Sequence, residues 1–466
     1  MTANIFVFRL LLALVLLAPL PLGANRPWAW SLLALTLGGL AGFWSLMVLT
    51  GRCRAPVAVT RLTPVVVLFG LTLGWAGLQT SPLLPVAWWH PLWTESVTAL
   101  GQSVPFGAVS LDPERTLTAI MRLTSYGAVF WLAVQLGRDR DRAHEALVAV
   151  SVAGLLYAVY GLTVHFADWE RILWLKKWAY TGDLTASFVN RNAYGAYAGL
   201  GMVCCIALFL RALRPARPGE QRRIAEMTET VLVQAAPYLV AALVLATALL
   251  LSHSRGAFLC TGLALMVLMV AMVAGKIIRL RSGLLLATIM LVVGGGALVM
   301  SGDVMVKRLS ETSSSGTDEG RINAYRLVQL AILDAPWTGN GLGAFSPAFR
   351  MYRDASLSEK GEWEYAHDVH LETAMDLGLP ATAALYGAFG VIVAACVRGV
   401  FKRRRDQVYP AVALAAAVLL AAHGVVDFSA QMPAIAVTLA LLLGVGYAQS
   451  WSSRDGARTT RHPADS

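Results

Sequence analysis

Charged residues are scarce in this sequence. They make up 14% of its 466 residues, whereas hydrophobic residues make up 57% and the mean hydropathy is +0.60. An ordinary soluble domain carries about 25% charged residues. This shortage excludes a water-soluble globular enzyme, because one core cannot hide so much apolar surface from water. The sequence therefore predicts an all-α integral membrane protein.

Cysteines are also few, and their positions exclude two kinds of site. The five cysteines lie in or near apolar segments, and no polar loop holds a pair of them. Neither a disulfide framework nor a Cys/His zinc site has the spacing that it needs. We therefore interpret the cysteines as small hydrophobic residues of helices, and we predict no metal and no other cofactor.

Long apolar segments are what the sequence has instead. A bilayer core of about 30 Å is crossed by about 20 apolar residues in a helix. The first segment has no small-residue cleavage site after it, so we interpret it as a retained helix and not as a removed signal peptide. We predict twelve transmembrane helices: 5–23, 28–49, 63–80, 117–136, 145–166, 193–212, 231–252, 256–275, 283–301, 369–397, 409–427 and 431–450.

Basic residues in alternate loops predict the orientation of these helices. Cytoplasmic loops are enriched in Lys and Arg. If twelve helices alternate, the basic loops fall on one side, and both termini lie there: around 52–61, 138–142, 211–223, 276–281 and 398–405, with the tail 451–466. The net charge of +10 is then explained by topology and does not indicate nucleic acid as a partner.

The opposite face carries a loop that is much longer than a turn requires. We divide the chain into helices one to nine at 1–301, an extracytoplasmic loop at 302–368, helices ten to twelve at 369–450, and a polar tail at 451–466. Long loops between membrane helices are usually functional. No internal repeat of the kind found in many secondary transporters is visible.

Two short polar motifs stand on the predicted outer face. Asn190, Arg191 and Asn192 precede the sixth helix, and the turn before the eighth helix contains His253 and Arg255. Arg191 can reach a lipid phosphate by snorkelling, or it can hold a substrate phosphate with an asparagine orienting its fork. Arg255 stands at a helix N-terminus, which favours anions. His253 is either a second contact or a structural hydrogen-bonding residue.

The long loop contains a third motif, which begins with a predicted helix. Apolar residues recur at helical spacing across 321–333, which is typical of a helix in the plane of the membrane interface. The predicted apolar stripe is Ile322, Tyr325, Val328 and Ile332, and Arg321 lies outside it.

The loop ends with the best candidate for a general base. His367 precedes Asp368, His370 and Glu372 at the start of the predicted tenth helix. Imidazole accepts a proton near neutral pH, and Asp368 or Glu372 can orient it. A histidine that caps a helix is the structural alternative. His367 and His370 can also bind a metal, but a third ligand at suitable spacing is missing.

Several arginines and one histidine at a membrane surface predict transfer of a group from a diphosphate. The arginines neutralise the leaving group, and the histidine deprotonates an attacking hydroxyl. Metal-dependent glycosyl transfer usually needs an acidic D-x-D pair, and the loops on the predicted outer face contain none.

These motifs resemble those of the O-antigen ligase/polymerase superfamily of bacterial inner-membrane glycosyltransferases. The resemblance spans roughly 180–385 and rests on four fragments in order: FVNRN, SHSRGA, RINAYRLVQLAILDAPWTGNGLGAF and AHDVHLETAMDLGLPA. It implies a GT-C-like fold with a large periplasmic loop. Asp368 stands where asparagine is frequent in the family, which leaves the role of that position open.

The resemblance also implies substrates and roles. The donor would be an undecaprenyl-diphosphate-linked oligosaccharide, and the acceptor lipid A-core or another lipid-linked glycan, so membrane lipids surround both. Arg191 and Arg255 would hold the diphosphate, with Arg321 as a further arginine, and His367 would be the base of a metal-independent reaction. The site would be periplasmic in a multi-pass protein of the inner membrane.

Other activities stay open at this point. A ligase and a polymerase share the donor, and a protein O-glycosyltransferase usually has more chain after its last motif. A transporter of the same lipid or of a solute would place charges at helix midpoints. The candidates for such a path are few and scattered: Arg9, Arg122, His423 and Asp427.

Overall fold

The protein is described by a computed structural model that covers residues 3–102, 107–213, 230–285, 288, 295, 317–357, 361–403 and 405–452. It is 72% helical with almost no strand, so the prediction of an all-α multi-pass membrane protein is confirmed. The α-helices whose ends are defined are α1 Ala3–Leu17, α2 Pro27–Leu49, α3 Thr63–Gln79, α4 Pro91–Ala99, α5 Pro113–Leu136, α6 Arg140–Phe166, α7 Arg191–Ala212, α8 Ala236–Leu251, α9 Arg255–Ala274, α10 Thr317–Asp334, α11 Phe345–Phe349, α12 Val369–Leu377, α13 Leu379–Lys402, α14 Val408–His423 and α15 Pro433–Ala448.

Eleven of the twelve predicted segments coincide with apolar helices. Within the described residues, seven helical stretches are long and apolar enough to cross a membrane, and four shorter apolar helices accompany them. The seven are α2, α5, α6, α7, the stretch Val231–Leu251 that contains α8, α9 and α13. The shorter four are α1, α3, α14 and α15. Most of the predicted ninth segment, 283–301, lies outside the described residues.

Helix α7 lies at the centre of the bundle, where it packs against α6, α8, α9 and α14. Small residues permit this close packing. A methyl group on Gly199 would come within 2.3 Å of the Thr261 hydroxyl on α9, and one on Gly201 would come within 3.4 Å of Gly154 on α6. Membrane helices associate through such small residues because lipid supplies no hydrophobic drive between them.

The arginines of three predicted cytoplasmic loops and the start of the tail meet at one end of the bundle. The guanidinium groups of Arg61 and Arg138 lie 5.4 Å and 5.1 Å from the Trp451 ring, and Arg403 donates to the Trp451 carbonyl oxygen. Arg140 pairs with Asp406 at 2.8 Å. These contacts place the loops on a common side. Which side of the membrane it is stays a prediction.

The predicted tenth transmembrane segment, 369–397, is wrong as a single helix. It consists of α12 and α13, which are separated at Gly378 with φ 75°. A methyl group there would come within 2.7 Å of the Trp337 carbonyl oxygen, and one on Gly339 within 2.3 Å of the Asp376 carbonyl oxygen. The two glycine-containing motifs therefore fit against each other. The amide of Gly341 donates to the Asp376 carbonyl oxygen at 2.9 Å and strengthens that contact.

Helix α10 confirms the predicted helix over 321–333, but its buried face differs from the predicted stripe. Ile322 is 66% exposed, whereas Ala324, Leu327, Val328 and Ala331 are buried. That face packs with α11 and α12 in a small core of its own. Of the predicted stripe, Val328 and Ile332 are buried and Tyr325 is half-buried, so the prediction is wrong for Ile322 alone. The helix packs on its neighbours through Ala324 and Val328.

A short antiparallel hairpin stands in the predicted outer loop 167–192. Its strands are β1 Arg171–Ile172 and β2 Leu175–Lys176. Several non-glycine residues of this loop have left-handed backbone conformations, among them Asp168 and Tyr180. Such conformations cost energy and concentrate at ligand and active sites.

Candidate active site

Asn190 builds the start of α7. Its side-chain oxygen accepts hydrogen bonds from the backbone amides of Asn192 at 2.7 Å and Ala193 at 3.1 Å, as an N-cap residue does. Its side-chain nitrogen donates to the Tyr180 hydroxyl at 3.1 Å. Asn190 thus fixes where Arg191 begins the helix. The predicted direct contact from Asn190 to the fork of Arg191 is replaced by this cap.

Arg191 and His253 share one carboxylate that the sequence did not indicate. Arg191 Nη1 donates to Asp183 Oδ2 at 2.7 Å, and His253 Nδ1 lies 2.8 Å from Asp183 Oδ1. The Arg191 guanidinium also lies 5.6 Å from the Tyr180 ring. Its Nε atom is buried without a hydrogen-bond partner within the described residues. Asp183 therefore brings Arg191 and His253 together.

Asn192 connects this group to a second buried carboxylate. Its side-chain nitrogen donates to Asp427 Oδ2 at 2.7 Å, and the Ser429 hydroxyl donates to Asp427 Oδ1 at 2.5 Å. Asp427 is 1% exposed. A buried carboxylate needs such partners, because removal of a charge from water is costly. Asp427 was considered as a transport residue, and the structure places it beside the polar motifs.

His367 stands in a left-handed turn, with φ 57°, between aromatic side chains. Its ring centroid lies 5.8 Å from that of Trp363 and 5.0 Å from that of Phe428. The Tyr325 hydroxyl donates to the His367 carbonyl oxygen at 3.0 Å and holds the turn. The ring atom Nδ1 is buried and has no hydrogen-bond partner within the ranges described above.

The surroundings of His367 favour the neutral imidazole. Burial lowers the pKa of His367, the positive charge of Arg321 lowers it further, and Asp427 opposes them, so that the pKa falls from 6.5 to about 4. His367 is therefore uncharged at neutral pH and has a lone pair that can accept a proton. Arg321 and Asp427 act on this ring, so the three residues form one electrostatic unit.

Tyr180 joins the two halves of the site. Burial raises the pKa of its hydroxyl. Four charged residues also contribute, since Asp427 and Asp183 raise this pKa whereas Arg191 and Arg321 lower it. Charged residues from the start of α7, from α10 and from the segment after α14 therefore act on one tyrosine. The sequence does not indicate Tyr180, because an isolated tyrosine in a polar loop belongs to no recognisable motif.

The remaining predicted arginines differ from Arg191 in their partners. The positive charge of Arg321 lowers the pKa of both His367 and Tyr180. Arg255 is exposed at the first turn of α9, where Ser254 caps the helix. In the part of the chain that the structure describes, neither has a hydrogen bond or an ion pair with a side chain. Gly256, next to Arg255, would bring a methyl group within 3.3 Å of the His423 ring.

Asp368 and His370 have structural contacts. Asp368 Oδ1 accepts from the amides of His370 at 2.8 Å and Leu371 at 2.9 Å, so it is the N-cap of α12. The sequence predicted that Asp368 or Glu372 orients the His367 ring; Asp368 caps the helix instead. His370 Nδ1 lies 2.8 Å from the Tyr386 hydroxyl, and Nε2 lies 2.9 Å from the Ala421 carbonyl oxygen. Its ring ties α12 to α13 and α14.

Glu372 supports His367 through the backbone and not through the ring. Its Oε2 accepts from the Ala366 amide at 2.7 Å, immediately before His367, and its Oε1 accepts from Gln431 at 2.8 Å. The Gln431 carbonyl oxygen accepts from Arg122 at 2.6 Å. Arg122, a transport candidate in the sequence, thus belongs to the framework that fixes the turn of His367.

Comparison with protein families gives one match. Residues 240–386 match the family model described as O-antigen ligase, which is about a third of the chain. The matched region contains Arg255, Arg321 and His367, whereas Arg191 and Asp427 lie outside it. A search of curated proteins finds no match.

Proposed function

We propose that this chain, a member of the O-antigen ligase/polymerase superfamily through residues 240–386, is a glycosyltransferase of the ligase type. The proposed donor is an undecaprenyl-diphosphate-linked glycan, and the proposed acceptor is a sugar hydroxyl of lipid A-core. The reaction would take place on the periplasmic face of the bacterial inner membrane. The orientation rests on the basic loops, three of which meet at one end of the bundle.

The observation that carries this proposal is the neutral, unpartnered imidazole of His367 beside Arg321. Burial keeps the ring uncharged at neutral pH, and its buried Nδ1 has no hydrogen-bond partner among the described residues. A general base needs both a free lone pair and a reactant within reach. Arg321 supplies a positive charge in the same place, where a diphosphate leaving group would gain most from it.

The proposed step is a single displacement at the anomeric carbon of the donor sugar. The acceptor hydroxyl oxygen forms the new bond to this carbon, and His367 takes the hydroxyl proton. The bond from the anomeric carbon to the phosphate oxygen breaks, and its electron pair leaves with the lipid diphosphate. Arg255, Arg321 and Arg191 would stabilise the charge on that leaving group. The imidazolium then releases its proton to water.

Arg191 would take part through the atoms that Asp183 leaves available. One of its nitrogens is paired with Asp183, but Nε is buried without a partner among the described residues. A buried donor without an acceptor is costly, and a phosphate oxygen would satisfy it. Asp183 would then fix the direction of the fork and prevent Arg191 from snorkelling elsewhere.

The test is transfer by purified protein in lipid nanodiscs that contain an undecaprenyl-diphosphate-linked oligosaccharide and lipid A-core. We expect His367→Ala to form no new glycosidic bond, while its thermal unfolding matches that of the parent protein. The matched control is His144→Ala, because His144 contacts Arg211 at the opposite end of the bundle. Transfer by His367→Ala at a rate near that of the control would overturn the assignment of the base.

The same assay separates the activities that the sequence left open. Glycan attached to lipid A-core supports a ligase, whereas elongation of the lipid-linked chain supports a polymerase. Movement of the lipid-linked glycan across the bilayer without a new glycosidic bond would support a transporter and contradict the proposal. Mass spectrometry of the extracted lipids distinguishes the two transfer products. Transport is measured separately in proteoliposomes, by the accessibility of the glycan to a reagent added outside.

A further inference from the structure

A cavity of about 220 Å³ opens in the predicted outer loop, beside the ion pair of Arg191 and Asp183. Its walls come from the end of α6, the β1–β2 hairpin and the segment 182–186. The residues that matter for its chemistry are Asp168, Trp169, Glu170, Arg171, Lys177 and Thr185. Drug-sized ligands need about 300–1,000 Å³, so this cavity suits a smaller molecule.

One buried hydroxyl in the wall of the cavity lacks a partner. Thr185 is 1% exposed, and its Oγ1 has no hydrogen bond within the described residues. Buried polar groups in folded proteins are almost always hydrogen-bonded, so an unpartnered one in a cavity wall points to a ligand or a bound water. Glu170 has internal contacts, since its Oε1 accepts from the Gly182 amide at 2.8 Å and its Oε2 lies 3.6 Å from Lys177 Nζ, but Oε2 also has no hydrogen bond within the described residues.

The exposed part of the cavity offers a carboxylate and an aromatic face. Asp168 and Trp169 are both exposed, Trp169 to 59%. Asp168 has a left-handed backbone with φ 53° because it ends α6: its amide donates to the His165 carbonyl oxygen at 3.1 Å, and the Trp169 amide donates to that of Val164 at 3.0 Å. A carboxylate accepts hydrogen bonds from hydroxyl groups, and an indole face packs against the C–H side of a ring. Together with Thr185, they match a small, neutral, polyhydroxylated ring.

We propose that this cavity binds one sugar residue of the glycan substrates, next to the reaction centre; this inference rests on the proposed function. Asp183 connects the cavity with the proposed diphosphate site, because it lines the cavity and also contacts Arg191 and His253. The sugar belongs either to the donor chain or to the acceptor. Thr185 is then a residue that determines specificity, because its unpaired hydroxyl favours a ring with a hydroxyl group at that position.

Binding is measured without any transfer reaction, by saturation-transfer NMR on the protein in nanodiscs without sugar-headed detergent. The probes are glucose, galactose, mannose, N-acetylglucosamine and rhamnose. We expect at least one to bind, and Thr185→Val to weaken it about threefold to tenfold, as for loss of one neutral hydrogen bond. Trp169→Ala, an exposed position, is expected to do the same with little effect on folding.

The matched control is Ser187→Ala. Ser187 is also fully buried, and its hydroxyl has no hydrogen-bond partner in the described part of the chain, but it does not line the cavity. Sugar binding should be the same in Ser187→Ala as in the parent protein. A signal that is equal in Thr185→Val, Trp169→Ala and Ser187→Ala, or no binding of any probe, would overturn the inference. Binding of inorganic pyrophosphate that Thr185→Val weakens would also overturn it, because the cavity would then be an anion site.

Transfer kinetics of Thr185→Val identify the source of the sugar. A raised KM for lipid A-core alone places an acceptor sugar in the cavity, and a raised KM for the lipid-linked oligosaccharide alone places a donor sugar there. Unchanged KM values for both would contradict the inference. The failure of the proposed function looks different, since His367→Ala would then transfer glycan normally while the binding of monosaccharides to the cavity persisted.

Discussion

We expect glycan transfer by this protein to continue at a lower pH than a histidine base with an ordinary pKa would allow. His367 must be neutral to accept a proton, so the acid limb of kcat/KM reports its pKa in the free protein. Burial beside Trp363 and Phe428 is the largest cause that lowers this pKa, and Arg321 adds to it. The perturbation that tests this reasoning is pH, followed by changes at Trp363 and Arg321.

The expected magnitude follows from the two pKa values. With a pKa of about 4, about 97% of His367 is neutral at pH 5.5. With the ordinary pKa of about 6.5, only about 9% would be neutral at that pH. The protein should therefore keep most of its kcat/KM at pH 5.5, where an unperturbed base would have lost about nine-tenths of it.

Two variants separate the two causes that lower the pKa of His367, which are burial and the charge of Arg321. Arg321→Gln removes the charge, and Trp363→Leu removes part of the aromatic cover, so both should move the acid limb to higher pH. Because burial is the larger cause, Trp363→Leu should move the limb further than Arg321→Gln does. Arg326→Gln is the matched control, since Arg326 lies on the same helix but is exposed and paired with Asp354 at 3.4 Å.

The assay is the initial rate of transfer between pH 4.5 and pH 8 at low donor concentration, with thermal unfolding measured at each pH. The control variant should give the same acid limb as the parent protein. An acid limb near pH 6.5 in the parent protein would refute the argument that His367 is held neutral. A limb that moves to lower pH in Arg321→Gln would refute the role of Arg321.

Three further predictions concern other parts of the site. Asp368→Asn should retain activity and stability, because asparagine caps a helix as well as aspartate does, whereas Asp368→Ala should lower the free energy of unfolding by about 0.5–2 kcal/mol in chemical denaturation. Equal loss in both variants would mean that the charge of Asp368 acts in the reaction. Arg191→Ala and Arg255→Ala should each lower kcat/KM for the donor about ten- to 150-fold, the loss of about 1.5–3 kcal/mol for a charge-assisted contact, and lysine should restore only part of it. Unchanged donor kinetics in both alanine variants would remove these residues from the diphosphate site. Turnover should be unaffected by EDTA, and a loss that added Mg²⁺ restores would show that the reaction needs a metal.

The helices were predictable because a membrane imposes one length and one composition on every span. The break at Gly378 was missed because the whole of 369–397 is long enough for one span, although His370, Glu372 and Asp376 all precede the glycine and no charged residue follows it in the segment. A signal was present, because Gly378 is followed by Pro380, and glycine after a helix with proline shortly beyond it marks a boundary. The closing contact comes from Trp337 and Gly339, more than thirty residues away, which no local pattern shows.

The sequence indicates candidate site residues where ionisable side chains are rare. It does not indicate a residue whose role depends on partners that only folding brings close. His367 and Arg191 were recognised because ionisable residues at membrane helix mouths are few. Asp183 was not: Arg191 lies only eight residues further along the chain, but nothing in the loop indicates that the chain turns back to pair them, and its second partner His253 lies 70 residues away. An aspartate in a polar loop has no feature that distinguishes it until folding brings a cation to it.

The charges around His367 would make its pKa depend on binding of the proposed donor. Arg321 lowers the pKa of His367 in the empty site, whereas Asp427 raises it. A lipid diphosphate bound to Arg321 would cancel part of the positive charge, so the pKa of His367 would rise towards neutrality as the donor enters. A base is most effective with a pKa near the working pH. His367 would thus become a stronger base only when a leaving group is present, and an acceptor hydroxyl in the empty site would keep its proton.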